Sequence, residues 1–367
     1  MIFRSRVWSA AASNRGPQRG SRAGVVVARC RFGFFGVLPS GGAKIRERVP
    51  VNSKLQSKAP SPLRFAGALQ SLAVAVTLVF LLGSCSRVGR PSTTEITREV
   101  TDEAGRHVQL PPRIDRIISL APNLTEIVYA VGAGDRLVGD TEYCDYPPEA
   151  KSVTRVGDTM HPSVERIVAL KPQIVLVSTA SQLEAFAKQL DEQKIAVYVT
   201  NPLSVEDIFR SIQSLGDLFG ERDRATKLVT ELRDRTDKVQ SALAQAKPVS
   251  VFYQVSGEPL YTIGRDSYLT DLVKRAGGIS VTAGVPSAFP RYSDEAALAA
   301  RPDAIILPTG GSMGVANSTV ANPLRNSPAV LNNRVYKIND DRLSRPGPRL
   351  IDGLEEMARA LHPEAFK

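Results

Sequence analysis

Residues 98–367 predict an α/β fold of two Rossmann-like lobes, each a parallel sheet with covering helices, joined by one long α-helix. Three observations carry this. Short β-rich apolar runs alternate with helix-periodic segments, a 26-residue stretch free of Pro and Gly splits that alternation into two blocks, and one segment of the first block recurs in the second. Strand-helix alternation implies crossover connections and therefore parallel sheets.

In chain order, the first element is a hairpin around Asp102-Glu103-Ala104-Gly105, followed by a strand at Arg116 to Leu120 (RIISL). Apolar spacing gives helices at Asn123 to Val131, Gln182 to Gln193 and Val205 to Phe219, with buried strands at Gln173 to Ser178 (QIVLVS) and Ala196 to Thr200 (AVYVT). Glu221 to Ala246 places Ala225, Leu228, Leu232, Val239, Leu243 and Ala246 at spacings of three, four or seven, and Pro248 ends it. One helix of about 40 Å is expected there. The second block holds strands at Val249 to Val255, Asp303 to Leu307 and Arg334 to Ile338, with helices at Tyr268 to Ala276 and Arg349 to Leu361. The expected organisation is an N-terminal lobe over 98–220, a linking helix over 221–247 and a C-terminal lobe over 248–367.

The charge of the chain misleads until it is divided. All 367 residues carry a net +10, which would fit a nucleic-acid partner. Residues 1–90 hold Glu47 as their one acid, so the basic excess belongs to that prefix and the remainder is acidic on balance. No nucleic-acid partner is expected. Within the prefix, Lys54, Lys58 and Arg64 precede an apolar run from Phe65 to Leu82 and then Gly83-Ser84-Cys85. This is the order of an export signal. Leu82-Gly83-Ser84-Cys85 resembles the bacterial lipobox, in which the Cys sulfur is lipidated and becomes the mature N-terminus. Acyl chains contribute about 0.8 kcal/mol per buried methylene, so two or three hold a protein at a membrane. Residues 1–84 are therefore expected to be an extension plus lipoprotein signal, with Val51 or Leu55 as candidate true starts, and 85–97 a tether. With Cys30 in the prefix and Cys85 lipidated, Cys144 has no disulfide partner.

The repeat aligns Ser163-Val-Glu165-Arg-Ile-Val-Ala-Leu-Lys171-Pro172 with Ser293-Asp-Glu295-Ala-Ala-Leu-Ala-Ala-Arg301-Pro302, each followed by a buried strand. Glu165 and Glu295 fall in first helical turns, where the helix dipole favours a carboxylate. Their equivalence in two lobes also suits a partner with two equivalent basic sockets. Asn123-Leu-Thr-Glu126 has the spacing of a capping box, Asn at the N-cap and Glu at N3. The loop Tyr143-Cys-Asp-Tyr146-Pro-Pro-Glu follows a strand, where ligands collect in open α/β sheets. His161 is a candidate metal or axial ligand standing alone. Gly-x-Ser-x-Gly, P-loop and His-Glu-x-x-His signatures are missing, which argues against a hydrolase, an NTPase or a zinc protease.

Arg116-Ile-Ile-Ser-Leu, Pro122-Asn-Leu-Thr-Glu126, Asp145-Tyr-Pro-Pro148, Glu165-Arg-Ile-Val-Ala-Leu-Lys-Pro172, Ala276-Gly-Gly278 and Pro348-Arg349 occur in an order that resembles the cobalamin, haem and iron-siderophore binding proteins of ABC importers. The resemblance runs from about Arg98 to Leu361. It implies a monomeric, non-enzymatic, extracytoplasmic binding protein with no cofactor of its own, which hands a metal chelate to an ABC permease and, through it, an ATPase. Similarity to the cobalamin-binding branch implies a corrinoid cargo, with Tyr143, Phe289 and Asp341 as ligand contacts and Arg342 beside them. It also implies that Glu165 and Glu295 dock onto permease arginines. Thr159 stands where that branch has a cleft Trp. The rival within the class is a haem or ferric-siderophore receptor using Tyr143 or His161 as axial ligand and Arg291, Arg342 or Arg345 as carboxylate partners. From another class, the rival is an enzyme or sensor on the same scaffold.

Overall fold

A computed structural model describes residues 97–179, 184–311 and 319–367. The Cys85 lipidation site, the extension before it and most of the tether lie outside the described residues.

A two-stranded antiparallel ribbon, β1 (Arg98–Thr101) and β2 (His107–Leu110), leads into the N-terminal lobe. Asp102 closes its turn by accepting the backbone N–H groups of Ala104 and Arg106 at 3.0 and 2.8 Å. The N-terminal sheet comprises β3 (Ile117–Ser119), β4 (Leu137–Gly139), β5 (Ile174–Ser178) and β6 (Val197–Thr200) in the order β4-β3-β5-β6, all parallel. Its helices are α1 (Pro122–Ala130), α2 (Val164–Ala169), α3 (Glu184–Glu192) and α4 (Val205–Phe219).

The linking helix α5 spans Arg222–Ala242, 21 residues rather than the 26 expected from the sequence. Lys247 precedes Pro248, whose ring disfavours helical backbone before it, and the chain leaves the helix in turns from Leu243 onward. Ala225, Val229, Leu232 and Val239 form its buried stripe.

The C-terminal lobe contains β7 (Val249–Gly257), β8 (Leu260–Thr262), β9 (Gly278–Ser280), β10 (Ala304–Thr309) and β11 (Val335–Asn339), with α6 (Tyr268–Arg275), α7 (Asp294–Ala300), α8 (Pro328–Leu331), α9 (Asp340–Leu343) and α10 (Leu350–Leu361). Strands β9, β7, β10 and β11 run parallel in that order, which is the order β4-β3-β5-β6 of the first lobe. β8 departs from the all-parallel expectation. β7 is nine residues long, so its first half pairs with β9 and its second half turns back into an antiparallel pairing with β8.

The sequence repeat is also a backbone repeat. Lys171 and Arg301 both take left-handed φ values, 47° and 41°, immediately before Pro172 and Pro302. Proline disfavours right-handed helix at the preceding residue, so each lobe breaks the chain after its Glu-bearing helix by the same device. Strand residues alternate between two apolar faces. Ile117, Ile174, Leu176, Val251, Tyr253 and Ile306 join one continuous core that also takes in α5 and crosses from lobe to lobe. Ile118, Val175 and Val177 face a second cluster containing Ile167 of α2, while Phe252, Ile305 and Leu307 face a third containing Ala297 of α7. Thus α2 and α7 cover the outer faces of the two sheets. Each fully buried Leu or Ile contributes about 1.5–3 kcal/mol, which makes the shared core the main restraint on lobe separation.

Candidate ligand cleft and docking faces

Loops that follow strand ends of the first lobe and loops of the second enclose a cavity of about 340 Å³. Its walls include Thr179, Asn201 and Leu203 from one lobe and Ser267, Tyr268 and Phe289 from the other. Phe289 is 39% exposed and Leu203 50%, which places two apolar side chains at this opening. Thr179 donates to Asn201 Oδ1 at 2.7 Å. Tyr268 is buried, its phenol pushed well up by desolvation, and its hydroxyl donates to Leu343 O at 3.0 Å. That bond ties the cavity wall to the segment containing Asp341.

The lobes are also joined by a buried ion cluster. Pro122 opens α1 with Ala121 at the N-cap, so Asn123 is not the cap expected from its spacing with Glu126. Its side chain instead donates to Pro346 O in the other lobe at 3.3 Å. Proline's fixed φ and missing N–H suit the first helical position, and this moves the helix start two residues upstream of that reading. Glu126, read from the sequence as the N3 partner of a cap, accepts from Arg345 Nη1 at 3.0 Å, Arg349 Nε at 2.9 Å and Arg349 Nη2 at 2.5 Å. The Arg345 side chain is 2% exposed and also meets Asp145 at 2.8 Å, Asp341 at 2.8 Å and the Tyr143 carbonyl at 3.3 Å. It therefore has no open face for a ligand carboxylate, contrary to the role considered for it. Arg349 lies 4.0 Å over the Tyr146 ring.

Tyr143 and Asp341 are thus brought together through one guanidinium, and Phe289 lines the neighbouring cavity. The other expected contacts lie elsewhere. Thr159 is 6% exposed in the loop before α2, and Arg342 pairs with Glu356 at 2.9 Å on the side of α10. Arg291 lines a groove of about 680 Å³ beside Glu295. The His161 side chain is 85% exposed, with Nδ1 3.3 Å from Asp158 Oδ2. Among the described residues no group of three or more His, Cys, Asp or Glu is placed to hold a metal ion.

At the base of the Tyr143 loop, Arg155 Nη1 donates to Asp140 Oδ1 at 2.5 Å and to the carbonyls of Thr141 and Cys144 at 2.8 and 3.0 Å. Burial raises Asp140 to about 7 against the attraction of Arg155, and its Oδ2 has no hydrogen-bond partner. Cys144 is buried, with Sγ 3.2 Å from the hydroxyls of Thr125 and Thr141, and desolvation raises its thiol.

Glu165 and Glu295 each occupy the second position of their helix. Ser163 and Ser293 cap these helices by accepting from the backbone N–H of Arg166 and Ala296 at 3.3 and 3.1 Å. Both glutamates are exposed, and neither has an ion pair among the described residues. One turn on, Val168 and Leu298 are also exposed.

The sequence missed Glu126 and Arg349 as partners, although both stand inside motifs that carried the family resemblance. Charge pairing between those motifs was the available signal. Leu203, Thr179 and Asn201 had none, because loop residues after strands show no periodicity.

Among the described residues no helix is long and apolar enough to cross a membrane. The chain is 33% identical over 276 residues to the uncharacterized ABC transporter substrate-binding lipoprotein YvrC of Bacillus subtilis, covering 73% of this chain and 86% of that protein. It is 29% identical over 248 residues to the vitamin B12-binding protein of Vibrio cholerae, covering 67% and 89%. The crystal structure of the periplasmic vitamin B12 binding protein BtuF of Vibrio cholerae superposes with a TM-score of 0.61, covering 69% of this chain and 98% of that one. The periplasmic binding protein family model matches residues 117–342, from the first strand of the N-terminal sheet to the helix carrying Asp341. With two lobes of one topology facing each other across a cleft, the chain belongs to the periplasmic binding protein family.

Proposed function

We propose that the protein is the substrate-capturing lipoprotein of a bacterial ABC importer and that its cargo is a corrinoid such as cobalamin. The observation that carries the reading is the interlobe cavity with Phe289 and Leu203 at its opening, in a chain 29% identical to a vitamin B12-binding protein. The cavity is open to one side and pairs apolar side chains with a few fixed polar groups, so it would take one edge of a corrinoid rather than enclose it. Tyr143, Asp341 and Phe289 contact the cargo, whereas Thr159, buried before α2, and Arg342, paired with Glu356, take no direct part.

Delivery is to a permease, and through it to its ATPase, by way of Glu165 and Glu295. Their matched placement behind capping serines, and their freedom from ion pairs among the described residues, support this docking. Cys85 carries the lipid that holds the exported protein at the membrane. No covalent chemistry is assigned to the chain.

Titration calorimetry of the purified protein with cyanocobalamin, dicyanocobinamide, haemin and ferrichrome tests the cargo. Tight binding of the two corrinoids alone is expected. Selective binding of haemin or ferrichrome would replace the corrinoid reading, and turnover of any of them without a permease would replace the transport reading with an enzymatic one.

A further inference from the structure

Arg345 makes contacts that no ligand-binding role explains. Its side chain is 2% exposed, yet it reaches two groups of the first lobe's loop, the Tyr143 carbonyl at 3.3 Å and Asp145 at 2.8 Å, together with Asp341 of its own lobe at 2.8 Å. Glu126, its fourth partner, also holds Arg349 through two bonds. The loop has a second anchor in Arg155, which binds the carbonyls of Thr141 and Cys144 within the first lobe. The two anchors alternate along residues 141–145, so one short segment is held both to its own lobe and to the opposite lobe.

From this geometry we infer that Arg345 is a positioning residue, which sets the Tyr143 loop and Asp341 as one preorganised platform spanning the cleft. The inference rests on the reading of Tyr143 and Asp341 as cargo contacts. A planar guanidinium presents donors in a fixed fork, so it holds several acceptors in one mutual geometry where an ammonium cannot. Without it the platform samples several arrangements. Apparent affinity then falls by the fraction of molecules that remain competent to bind. Such a loss enters through association, whereas losing a group that touches the cargo enters through dissociation.

The test is stopped-flow binding of cyanocobalamin to the full chain and to its Arg345→Met and Asp341→Asn variants, alongside hydrogen exchange of the unliganded proteins. Arg345→Met is expected to slow association about tenfold or more with dissociation changed less than about twofold, and Asp341→Asn to speed dissociation. Exchange in Arg345→Met is expected to rise in residues 141–147 and 340–346 and to stay near wild type elsewhere. Wild-type association in a folded Arg345→Met protein, a change confined to dissociation, or exchange rising evenly through both lobes would each overturn the inference. Should wild type fail to bind cyanocobalamin, the corrinoid reading falls and the exchange pattern alone decides the positioning role. If Arg345→Met does not fold, Arg345→Lys, which keeps the charge but not the fork, takes the same two measurements with the same expected outcomes.

Discussion

Replacing Glu126 by Gln removes one charge from the centre of the interlobe cluster with almost no change of volume. Glu126 is 3% exposed and lies within 3.0 Å of two guanidinium groups. At that range and an effective dielectric near 20, each contact is worth roughly 5 kcal/mol of gross attraction. Desolvation of the buried ions cancels most of it, and breaking a buried pair costs about 3–5 kcal/mol because a charge is left uncompensated. Arg345 keeps Asp145 and Asp341, and Arg349 keeps the Tyr146 ring, so the low end applies. The expected loss is about 3 kcal/mol, which at roughly 2–4 °C per kcal/mol for a chain of this size lowers Tm by about 6–12 °C. Urea titration and calorimetry read it, with Lys227→Ala as the control. That residue's pair with Glu231 is 4.0 Å long and largely exposed, and its loss should leave stability unchanged. A loss below about 1 kcal/mol for Glu126→Gln would refute the argument, because it would show the cluster to be no stronger than a surface pair.

Asp140 gives a pH dependence of definite sign. Its native pKa, about 7, lies above the unfolded value near 3.8, so the native state holds the extra proton between these values. Its stabilising contribution is present at low pH and is lost as pH rises through 7, on the order of 4 kcal/mol in all. Asp140→Asn should flatten urea midpoints measured from pH 5 to 8, and curves parallel to wild type would contradict this. Reversing Glu165 and Glu295 to Arg should abolish uptake in cells while calorimetric cargo affinity stays within about twofold, since both are exposed and neither is read as a cargo contact. Uptake that persists would make the pair helix-favouring charges only. Cys85→Ala should prevent incorporation of radiolabelled fatty acid and release the protein from membranes. Label retained in that variant would place the lipid elsewhere. Ser293→Ala should cost about 0.5–2 kcal/mol by removing the bond that Ala296 N–H donates to the Ser293 hydroxyl, read as a shifted urea midpoint. An unshifted midpoint would mean the cap is replaced by water.

The elements of this fold were legible because period-2 and period-3.6 patterns are local properties of the chain. Buried parallel strands such as Ile174–Ser178 announce themselves as continuous apolar runs, and Pro172 and Pro302 punctuate both lobes at equivalent places. The antiparallel β8 and the early end of α5 were not legible. Both depend on where a few residues near Gly257 and Lys247 turn, which propensity leaves open. The repeat placed Glu165 and Glu295 equivalently from sequence, and the structure adds that their side chains remain exposed on the outer faces of both sheets.

The ion cluster marks the boundary between the two kinds of information. By local rules Glu126 is a competent capping residue, and Arg345 and Arg349 are ordinary surface bases in a different block of the chain. Some 220 residues separate Glu126 from its two guanidinium partners, as the contacts 126–345 and 126–349 show. Only the meeting of the two lobes brings these charges together and buries Glu126 and Arg345, 3% and 2% exposed. Sequence alone determined the two-lobed α/β unit, the paired glutamates and the acidic balance of the folded part, because these are written in periodicity, repetition and composition. Tertiary structure decided which charges are buried together and which loops face each other across the cleft, because both depend on distances that no local pattern encodes.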